Sequence, residues 1–232
     1  MRVLLIHQAF ATPEQPGGTR HYELSRPLVR AGHEMTVVAS NLSYKTGQPV
    51  VGHRGLVSRH ELNGISVLRA YTYPSLHRSF AWRIVSFVSF MLTSTYAALR
   101  EGSVDLVMGT SPPIFQAAST WLVAWLRRRP FLLEIRDLWP EFAIDMGVLT
   151  NPILIALSRW LEHFLYRRAS HIVVNSPAYE GYLHGKGVPR EKITLIANGV
   201  DPTMFDPTAR GESMRGRWGL KDEFVVAYTG AL

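Results

Sequence analysis

The 232-residue chain contains no cysteine, which excludes disulfides, thiolate nucleophiles and cysteine-ligated zinc. Its nine histidines form no HExxH motif and no close pair, so the sequence predicts no metal site. The GxGxxG dinucleotide fingerprint is also missing, which disfavours a nicotinamide cofactor. The apolar run at residues 3–6 is too short for a signal peptide, so we expect a cytoplasmic protein.

The remaining composition is that of an ordinary globular protein, with 47% hydrophobic and 19% charged residues. The net charge of +7 suits an anionic partner, such as nucleic acid, acidic lipid headgroups or a phosphorylated substrate. The charge alone does not choose among these three classes of partner.

Apolar strands alternate with helices along most of the chain. This alternation predicts an α/β fold with a doubly wound, mostly parallel, Rossmann-like sheet. The predicted strands cover residues 2–6, 35–39, 65–71, 104–108, 131–135, 171–175 and 193–196. The predicted helices cover residues 20–30, 80–99, 114–126, 153–168 and 177–184. Asn63-Gly64 predicts a hairpin turn before the strand at 65–71, and residues 41–59 read as an irregular loop.

The helix predicted at residues 80–99 is the most apolar segment of the chain, and its length is compatible with a membrane span. Arg83, three serines and two threonines interrupt the apolar run. A packed core helix is therefore the preferred interpretation, and a helix lying in a membrane interface is the alternative.

In open α/β sheets, ligands bind beyond the carboxyl ends of the strands. The loops there contain His7 with Gly17-Gly18, Thr110-Ser111, residues 134–141, Asn175-Ser176 and Asn198-Gly199. Gly17 and Gly18 follow the first strand and precede a helix, where backbone amides can approach a diphosphate. An ordinary loop is the alternative interpretation of this glycine pair.

The segment EIRDLWPE, residues 134–141, places four charges at the end of an apolar strand. Buried charges are costly unless they are paired or used. Arg136 could neutralise a phosphate, and Asp137 and Glu141 could bind sugar hydroxyls or act in acid–base chemistry. The alternative is a structural pair of Arg136 and Asp137 that stabilises the loop.

Two further patterns have simpler explanations. Tyr182 and Lys186 have the YxxxK spacing of short-chain dehydrogenases and sugar epimerases, but without a glycine fingerprint we attribute the spacing to chance. The arginine clusters at residues 127–129 and 167–168 could contact anionic lipid or nucleic acid, although a solvated surface is the favoured interpretation.

Taken in order, these motifs resemble family 4 glycosyltransferases. The resemblance rests on the first strand with its Pro-Gly-Gly loop, Thr110-Ser111-Pro112-Pro113, residues 134–141, and Asn198-Gly199-Val200-Asp201. It spans essentially the whole chain and is strongest to the branch of bacterial surface-polysaccharide enzymes that includes the O-antigen transferase WbuB.

The resemblance implies a GT-B fold, in which two Rossmann-like domains face each other across a cleft. It implies a retaining transfer that needs no metal and no cofactor beyond the nucleotide-sugar donor. Gly17 and Gly18 would approach the donor diphosphate, and Asn198 and Gly199 would join the donor-side residues from the interdomain linker. Many relatives have a histidine where this chain has Arg136-Asp137, so the predicted catalytic residues are Asp137 first, then Arg136, then Glu141.

The domain boundaries follow from the same resemblance. We expect an acceptor-side domain at 1–197, a linker at 198–222, and at 223–232 the first strand of an incomplete donor domain. The family's paired-glutamate motif would lie beyond that strand, so we expect no transfer by this chain alone.

The resemblance also implies the partners. The acceptor would be a lipid-linked or glycan chain of O-antigen (lipopolysaccharide), capsule or exopolysaccharide. The protein would make peripheral contact with the inner face of the plasma membrane and would have no nucleic-acid partner. The alternatives are a non-catalytic fragment that binds an acceptor or a partner, and an NAD-dependent sugar-nucleotide epimerase.

Overall fold

The computed structural model describes residues 1–15, 17–43, 45–50, 55–75, 80–199, 208 and 211–228. The chain divides into a first unit, Met1–Asn198, and a second unit, Gly199–Leu232. Within the described residues, the first unit consists of a single sheet flanked by helices.

The described strands pair in the spatial order β3-β4-β2-β1-β5-β6-β7-β8. Every neighbouring pair is parallel except β3 with β4, which form an antiparallel hairpin. The predicted α/β class and mostly parallel sheet are thus confirmed. The strands are β1 (Arg2–Ile6), β2 (Glu34–Ser40), β3 (Val57–Leu62), β4 (Ile65–Ala70), β5 (Leu106–Ser111), β6 (Phe131–Ile135), β7 (His171–Val174) and β8 (Ile193–Leu195).

Helices of the first unit connect β1 to β2, β4 to β5, β5 to β6, β6 to β7 and β7 to β8. They are α1 (Arg20–Arg30), α2 (Phe80–Arg100), α3 (Ile114–Arg127), α4 (Glu141–Asp145), α5 (Pro152–Arg168) and α6 (Pro177–Gly185). The crossover through α1 runs from β1 to β2, whereas the later crossovers run toward β8. Because such crossovers are right-handed, α1 lies on the face of the sheet opposite α2, α3, α5 and α6.

Two hydrophobic clusters cover the two faces of the sheet. Leu4 and Ile6 pack into the larger cluster, which includes Phe90 of α2. Val3 and Leu5 alternate with them and pack into the smaller cluster, which includes Tyr22 of α1. A strand buried on both faces needs apolar side chains at consecutive positions, which explains the continuous apolar run of β1.

The strand order reverses between β1 and β5, because the chain builds the sheet outward from β1 in both directions. In doubly wound sheets this switch point leaves a crevice outside the carboxyl ends of the strands. The carboxyl ends of β1 and β5 meet there, since Ile6 is paired with Gly109. This position is the natural place for a ligand site.

Two expectations need correction. The predicted strand 104–108 is β5, Leu106–Ser111, so Thr110 and Ser111 belong to a strand rather than a loop, because β6 continues the pairing to Ser111. Residues 57–59 are likewise strand, because the Asn63-Gly64 hairpin extends the pairing to Val57. Among the described residues no helix is long and apolar enough to cross a membrane.

The second unit contains α7 (Glu212–Trp218), which lies within the stretch predicted as linker. Residues 223–228 form no strand, and Phe224 is 93% exposed to solvent. An apolar strand is stable only when a neighbouring edge satisfies its backbone groups and covers its side chains. The assignment of residues 223–232 to the first strand of a second domain stays a prediction.

Candidate functional site

The carboxyl edge of the sheet brings together side chains from distant parts of the sequence. His7 follows β1, Arg136 and Asp137 follow β6, and Asn175 follows β7. Gln116 of α3 joins the two sides of the switch point, because its Oε1 accepts from the Gln8 amide at 2.8 Å and its Nε2 donates to the Thr110 carbonyl at 2.6 Å.

A buried carboxylate lies next to this edge. Glu134 of β6 is 0% exposed, and its two oxygens have different partners. Arg20 Nε donates to Oε1 at 2.9 Å, and His21 Nε2 lies 2.5 Å from Oε2. Desolvation raises the pKa of Glu134, but the hydrogen bonds and charges of His21 and Arg20 outweigh it and lower the pKa to about 2. The carboxylate is therefore ionised at neutral pH.

The guanidinium group of Arg20 also contacts the chain that leaves β8. Its Nη2 donates to the Ile196 carbonyl at 2.7 Å, and its Nη1 donates to the Ala197 carbonyl at 3.0 Å and to Asn198 Oδ1 at 3.2 Å. Arg20 is the first residue of α1 and follows the loop that contains Gly17 and Gly18, here called the glycine loop. One side chain thus connects the start of α1, the end of β6 and residues 196–198.

His7 completes the buried group. Its ring centroid lies 4.1 Å from that of His21, and both side chains are buried. Burial lowers the pKa of His7 well below 6.5, and the charges of His21 and Arg136 lower it further. Within the described part of the chain, neither His7 Nδ1 nor His21 Nδ1 has a hydrogen-bond partner.

Arg136 and Asp137 have different environments. Arg136 Nε donates to Thr110 Oγ1 at 2.8 Å and its Nη2 to the Pro112 carbonyl at 3.1 Å, which fixes the guanidinium group beside the end of β5. Asp137 is exposed at the edge of the sheet. Desolvation by the surrounding chain raises the pKa of Asp137, and the positive charge of Arg136 opposes that rise. A carboxylate with a raised pKa beside a crevice suits proton transfer or sugar binding.

Glu141, the third predicted catalytic residue, lies at the start of α4 and is engaged in ion pairs. Arg159 of α5 binds both of its oxygens, at 2.8 and 3.0 Å, and Lys186 Nζ lies 3.4 Å from Oε1. The hydrogen bond from Arg159 is the main reason that the pKa of Glu141 is lowered. These contacts tie α4 to α5 and to the end of α6. The catalytic assignment of Glu141 stays a prediction.

Gly17 and Gly18 differ in the space around their Cα atoms. A Cβ at Gly17 would lie 2.8 Å from the Cβ of Ala11, whereas a Cβ at Gly18 would have no heavy atom of the described residues within 4 Å beyond its chain neighbours. Space beside Gly18 is therefore open to an approaching group. Asn198 is exposed and held by Arg20, and Gly199 is exposed at the start of the second unit.

Tyr182 and Lys186 surround a second buried carboxylate, that of Glu162 on α5. Lys186 Nζ lies 2.5 Å from Glu162 Oε2, and the hydroxyls of Tyr182 and Tyr166 donate to Oε1 at 3.3 and 2.9 Å. These contacts give the YxxxK pair a structural role in holding α6 against α5. No group of three histidine or acidic side chains that could hold a metal occurs among the described residues.

Sequence reasoning missed Arg20, His21 and the role of Glu134. The signal was present, because Glu134 is a lone carboxylate inside the apolar strand FLLEI and such a charge requires a partner. The sequence predicted no partner for Glu134, and the structure provides Arg20 and His21, more than a hundred residues earlier in the chain.

The fold defines a Rossmann-like domain with a candidate ligand site at its switch point. Solved structures with the same fold include the sucrose-phosphate synthase of Thermosynechococcus elongatus, with a TM-score of 0.65 and 14% identity, covering 95% of this chain and 53% of that one. Anabaena HepE, solved in complex with UDP and glucose, gives a TM-score of 0.56 and 18% identity, covering 94% of this chain and 50% of that one.

Residues 17–199 match the glycosyl transferase 4-like domain, and the chain belongs to this family. A GDP-mannose-dependent alpha-mannosyltransferase of Mycobacterium tuberculosis is 34% identical over 94 residues, 40% of this chain and 23% of that protein. An alpha-galactosylglucosyldiacylglycerol synthase of Streptococcus pneumoniae is 38% identical over 68 residues, 28% of this chain and 18% of that protein. The chain spans about half the length of its structural neighbours, and the matched segments span less of the curated relatives.

Proposed function

We propose that this chain is the acceptor-side half of a retaining, family 4-like glycosyltransferase. The enzyme would move a sugar from a nucleotide-sugar donor to a lipid-linked or glycan acceptor in bacterial surface-polysaccharide synthesis. The observation that carries the proposal is the family match, which begins at the glycine loop and ends just after the segment that Arg20 holds. The match therefore includes Gly17, Gly18, Arg20 and the segment 134–141, and it begins after β1 and His7.

The donor in this proposal is a nucleoside diphosphate sugar. HepE was solved with UDP-glucose, and the mycobacterial relative is named for GDP-mannose. The donor diphosphate would approach Gly17 and Gly18, where the open space beside Gly18 admits a phosphate to the backbone. Asn198 and Gly199 would contact the donor from the linker. Arg136 supplies a fixed positive charge at the same edge, so the proposal requires no metal ion.

Asp137 is the proposed catalytic residue. It is exposed at the carboxyl end of β6, whereas the carboxylates of Glu134 and Glu141 are already engaged in ion pairs. Its raised pKa suits a group that exchanges a proton with an acceptor hydroxyl or holds a sugar hydroxyl. Arg136 would stabilise the negative charge that develops on the leaving phosphate.

A lipid-linked acceptor fits the pneumococcal relative, which is named as a synthase of a glycosylated diacylglycerol. It also fits the basic charge of the chain, since bacterial membranes present anionic lipid. O-antigen, lipopolysaccharide, capsule and exopolysaccharide are the proposed contexts, and the WbuB-like branch is the proposed subfamily. Peripheral contact at the inner face of the membrane follows from that acceptor.

A donor screen tests the proposal. The 232-residue chain, and a longer protein in which it continues into a donor domain, are incubated with radiolabelled UDP- and GDP-sugars and undecaprenyl-linked acceptors. We expect transfer by the longer protein, with the anomeric configuration retained by NMR, and none by the 232-residue chain. Transfer by neither would refute the proposed activity and favour a non-catalytic binding fragment. Transfer by the short chain would refute the need for a second domain.

Asp137→Asn gives a residue-level test of the longer protein. We expect transfer to fall by about 10²-fold or more with an unchanged melting temperature, because the carboxamide cannot exchange the proton. The matched control is Asp145→Asn, an exposed aspartate of α4. Equal activities of the two variants would remove Asp137 from the catalytic assignment.

A further inference from the structure

The ends of α3 and α5 form a basic surface at the edge of the sheet opposite the candidate site. Arg128 and Arg129 lie between α3 and the start of β6, and Arg167 and Arg168 lie in the last turn of α5, shortly before β7. Because β6 and β7 are neighbours, the two arginine pairs lie at adjacent strand starts. All four are exposed, and within the described residues none of them forms an ion pair with a carboxylate.

A continuous row of aromatic rings connects the two helices beside these arginines. Trp125 stacks on Trp121 with 6.3 Å between the ring centroids, and Phe164 stacks on Trp160 with 5.6 Å between them. Trp121 and Phe164 join the two pairs in an edge-to-face contact, with their ring centroids 4.7 Å apart. The two tryptophans at the ends of the row are largely exposed: Trp125 is 63% exposed and Trp160 is 64% exposed. Folding therefore leaves two large apolar rings in water.

Two hollows, of about 590 and 490 Å³, lie along this row. Arg168 lines both, and its guanidinium carbon lies 5.4 Å from the Phe164 ring centroid. No aspartate or glutamate among the described residues lines either hollow. Arg127, the remaining arginine of the cluster, does not contribute, because it donates to the carbonyls of Leu99, Glu101 and Gly102 at the end of α2.

We propose that this arginine–tryptophan surface, formed by Trp125, Trp160, Arg128, Arg129, Arg167 and Arg168, binds the surface of an anionic phospholipid bilayer. Indole rings favour the headgroup level of a membrane, where one side is apolar and the other is wet. Guanidinium groups match lipid phosphates, and the anionic surface attracts each nearby arginine. The absence of acidic side chains around the described hollows removes the repulsion that such a surface would otherwise exert.

This proposal places the membrane contact away from α2, the helix that the sequence suggested. The outer face of α2 exposes Val85, Val88 and Leu92, and the described part of that face has arginines only near its ends, at Arg83 and Arg100. The arginine–tryptophan surface combines exposed indoles with four exposed arginines that form no ion pair with a carboxylate of the described residues. The proposal rests on the proposed function only for the location of the acceptor, because bilayer binding needs neither donor nor acceptor.

Vesicle co-sedimentation of the full chain tests the proposal. We expect binding to vesicles of phosphatidylcholine with 30% phosphatidylglycerol, and little binding to phosphatidylcholine alone or in high salt. Arg128→Ser with Arg129→Ser should lower the partition coefficient about 30-fold, at about 1 kcal/mol per arginine. The matched control is Lys45→Ser with Arg83→Ser, which removes the same charge from exposed positions elsewhere, one of them on α2.

Fluorescence with brominated lipid gives a second measurement. Trp125→Phe and Trp160→Phe should each remove part of the quenching, whereas Trp82→Phe and Trp218→Phe should not.

Several outcomes would contradict the proposal. An equal loss of vesicle binding in the Arg128/Arg129 double variant and in the Lys45/Arg83 double variant, or no loss in either, would overturn the proposed location. A dimer that Trp125→Glu converts to a monomer would make this surface a subunit interface instead. Binding to RNA but not to vesicles would assign it to nucleic acid. Because no sugar is present, these outcomes are independent of the donor screen.

Discussion

The substitution Glu134→Gln tests the buried centre of the candidate site. It keeps the shape of the side chain and removes the charge that Arg20 and His21 contact at 2.9 and 2.5 Å. The pKa of Glu134 falls from the ordinary value of 4.5 to about 2 in the folded protein. At 1.36 kcal/mol per pKa unit, the ionised carboxylate contributes about 3 kcal/mol to the free energy of unfolding.

The sign of the pH dependence follows from the direction of the shift. The folded pKa is depressed, so the contribution is complete above pH 4.5 and is lost as the pH falls toward 2. Glu134→Gln lacks the contribution at every pH. The wild-type chain should therefore exceed the variant by about 3 kcal/mol at pH 7, and the difference should shrink steadily below pH 4.5.

Urea unfolding followed by circular dichroism, at pH 7 and at pH 3, measures both quantities. Glu180→Gln is the control, because Glu180 is an exposed glutamate of α6 whose substitution should change stability by less than about 0.5 kcal/mol. A difference below 1 kcal/mol at pH 7, or one that stays constant down to pH 3, would refute the assignment of Glu134 as an ionised, stabilising partner.

Three other predictions concern glycines. Gly17→Ala should lower stability by about 1–3 kcal/mol in thermal melts, because its Cβ would lie 2.8 Å from that of Ala11. Gly18→Ala should melt like the wild type yet weaken nucleotide-sugar binding by the longer protein in calorimetric titration; unchanged affinity would place the diphosphate elsewhere. Gly109→Ala should be more damaging than Gly17→Ala, since its Cβ would overlap the Thr120 side chain in the packed interface of β5 and α3, and a melt like that of the wild type would contradict this packing.

The fold was predictable because its signals are local. The apolar run of β1 and the Asn63-Gly64 turn each determine structure through neighbours in the sequence. The end of β5 was not predictable in this way. Thr110 and Ser111 are polar and precede two prolines, which suggests a loop, yet their pairing with β6 makes them strand. Tertiary pairing overrides local preference here.

The site was predictable only to the level of the strand ends. The positions of His7, Arg136 and Asp137 follow from the rule that ligands bind beyond the carboxyl ends of parallel strands. The pairing of Glu134 with Arg20 does not follow from any local pattern, because the contact joins residues 114 positions apart. Sequence spacing carries no information about which of several cations will face a buried carboxylate. Only the packing of α1 against the sheet determines it.

The identity of residue 20 has a consequence for the whole edge of the sheet. A guanidinium group has five donors in a fixed plane, and here Nε serves Glu134 while the two terminal nitrogens serve Ile196, Ala197 and Asn198. A lysine ammonium at the same place would be a single point and could not span both sets of acceptors. The negative charge of Glu134 orients the guanidinium group, and the guanidinium group in turn fixes residues 196–198. The start of α1 after the glycine loop and the chain leaving β8 are therefore held by one side chain, so a displacement of either must strain or break its contacts to the other.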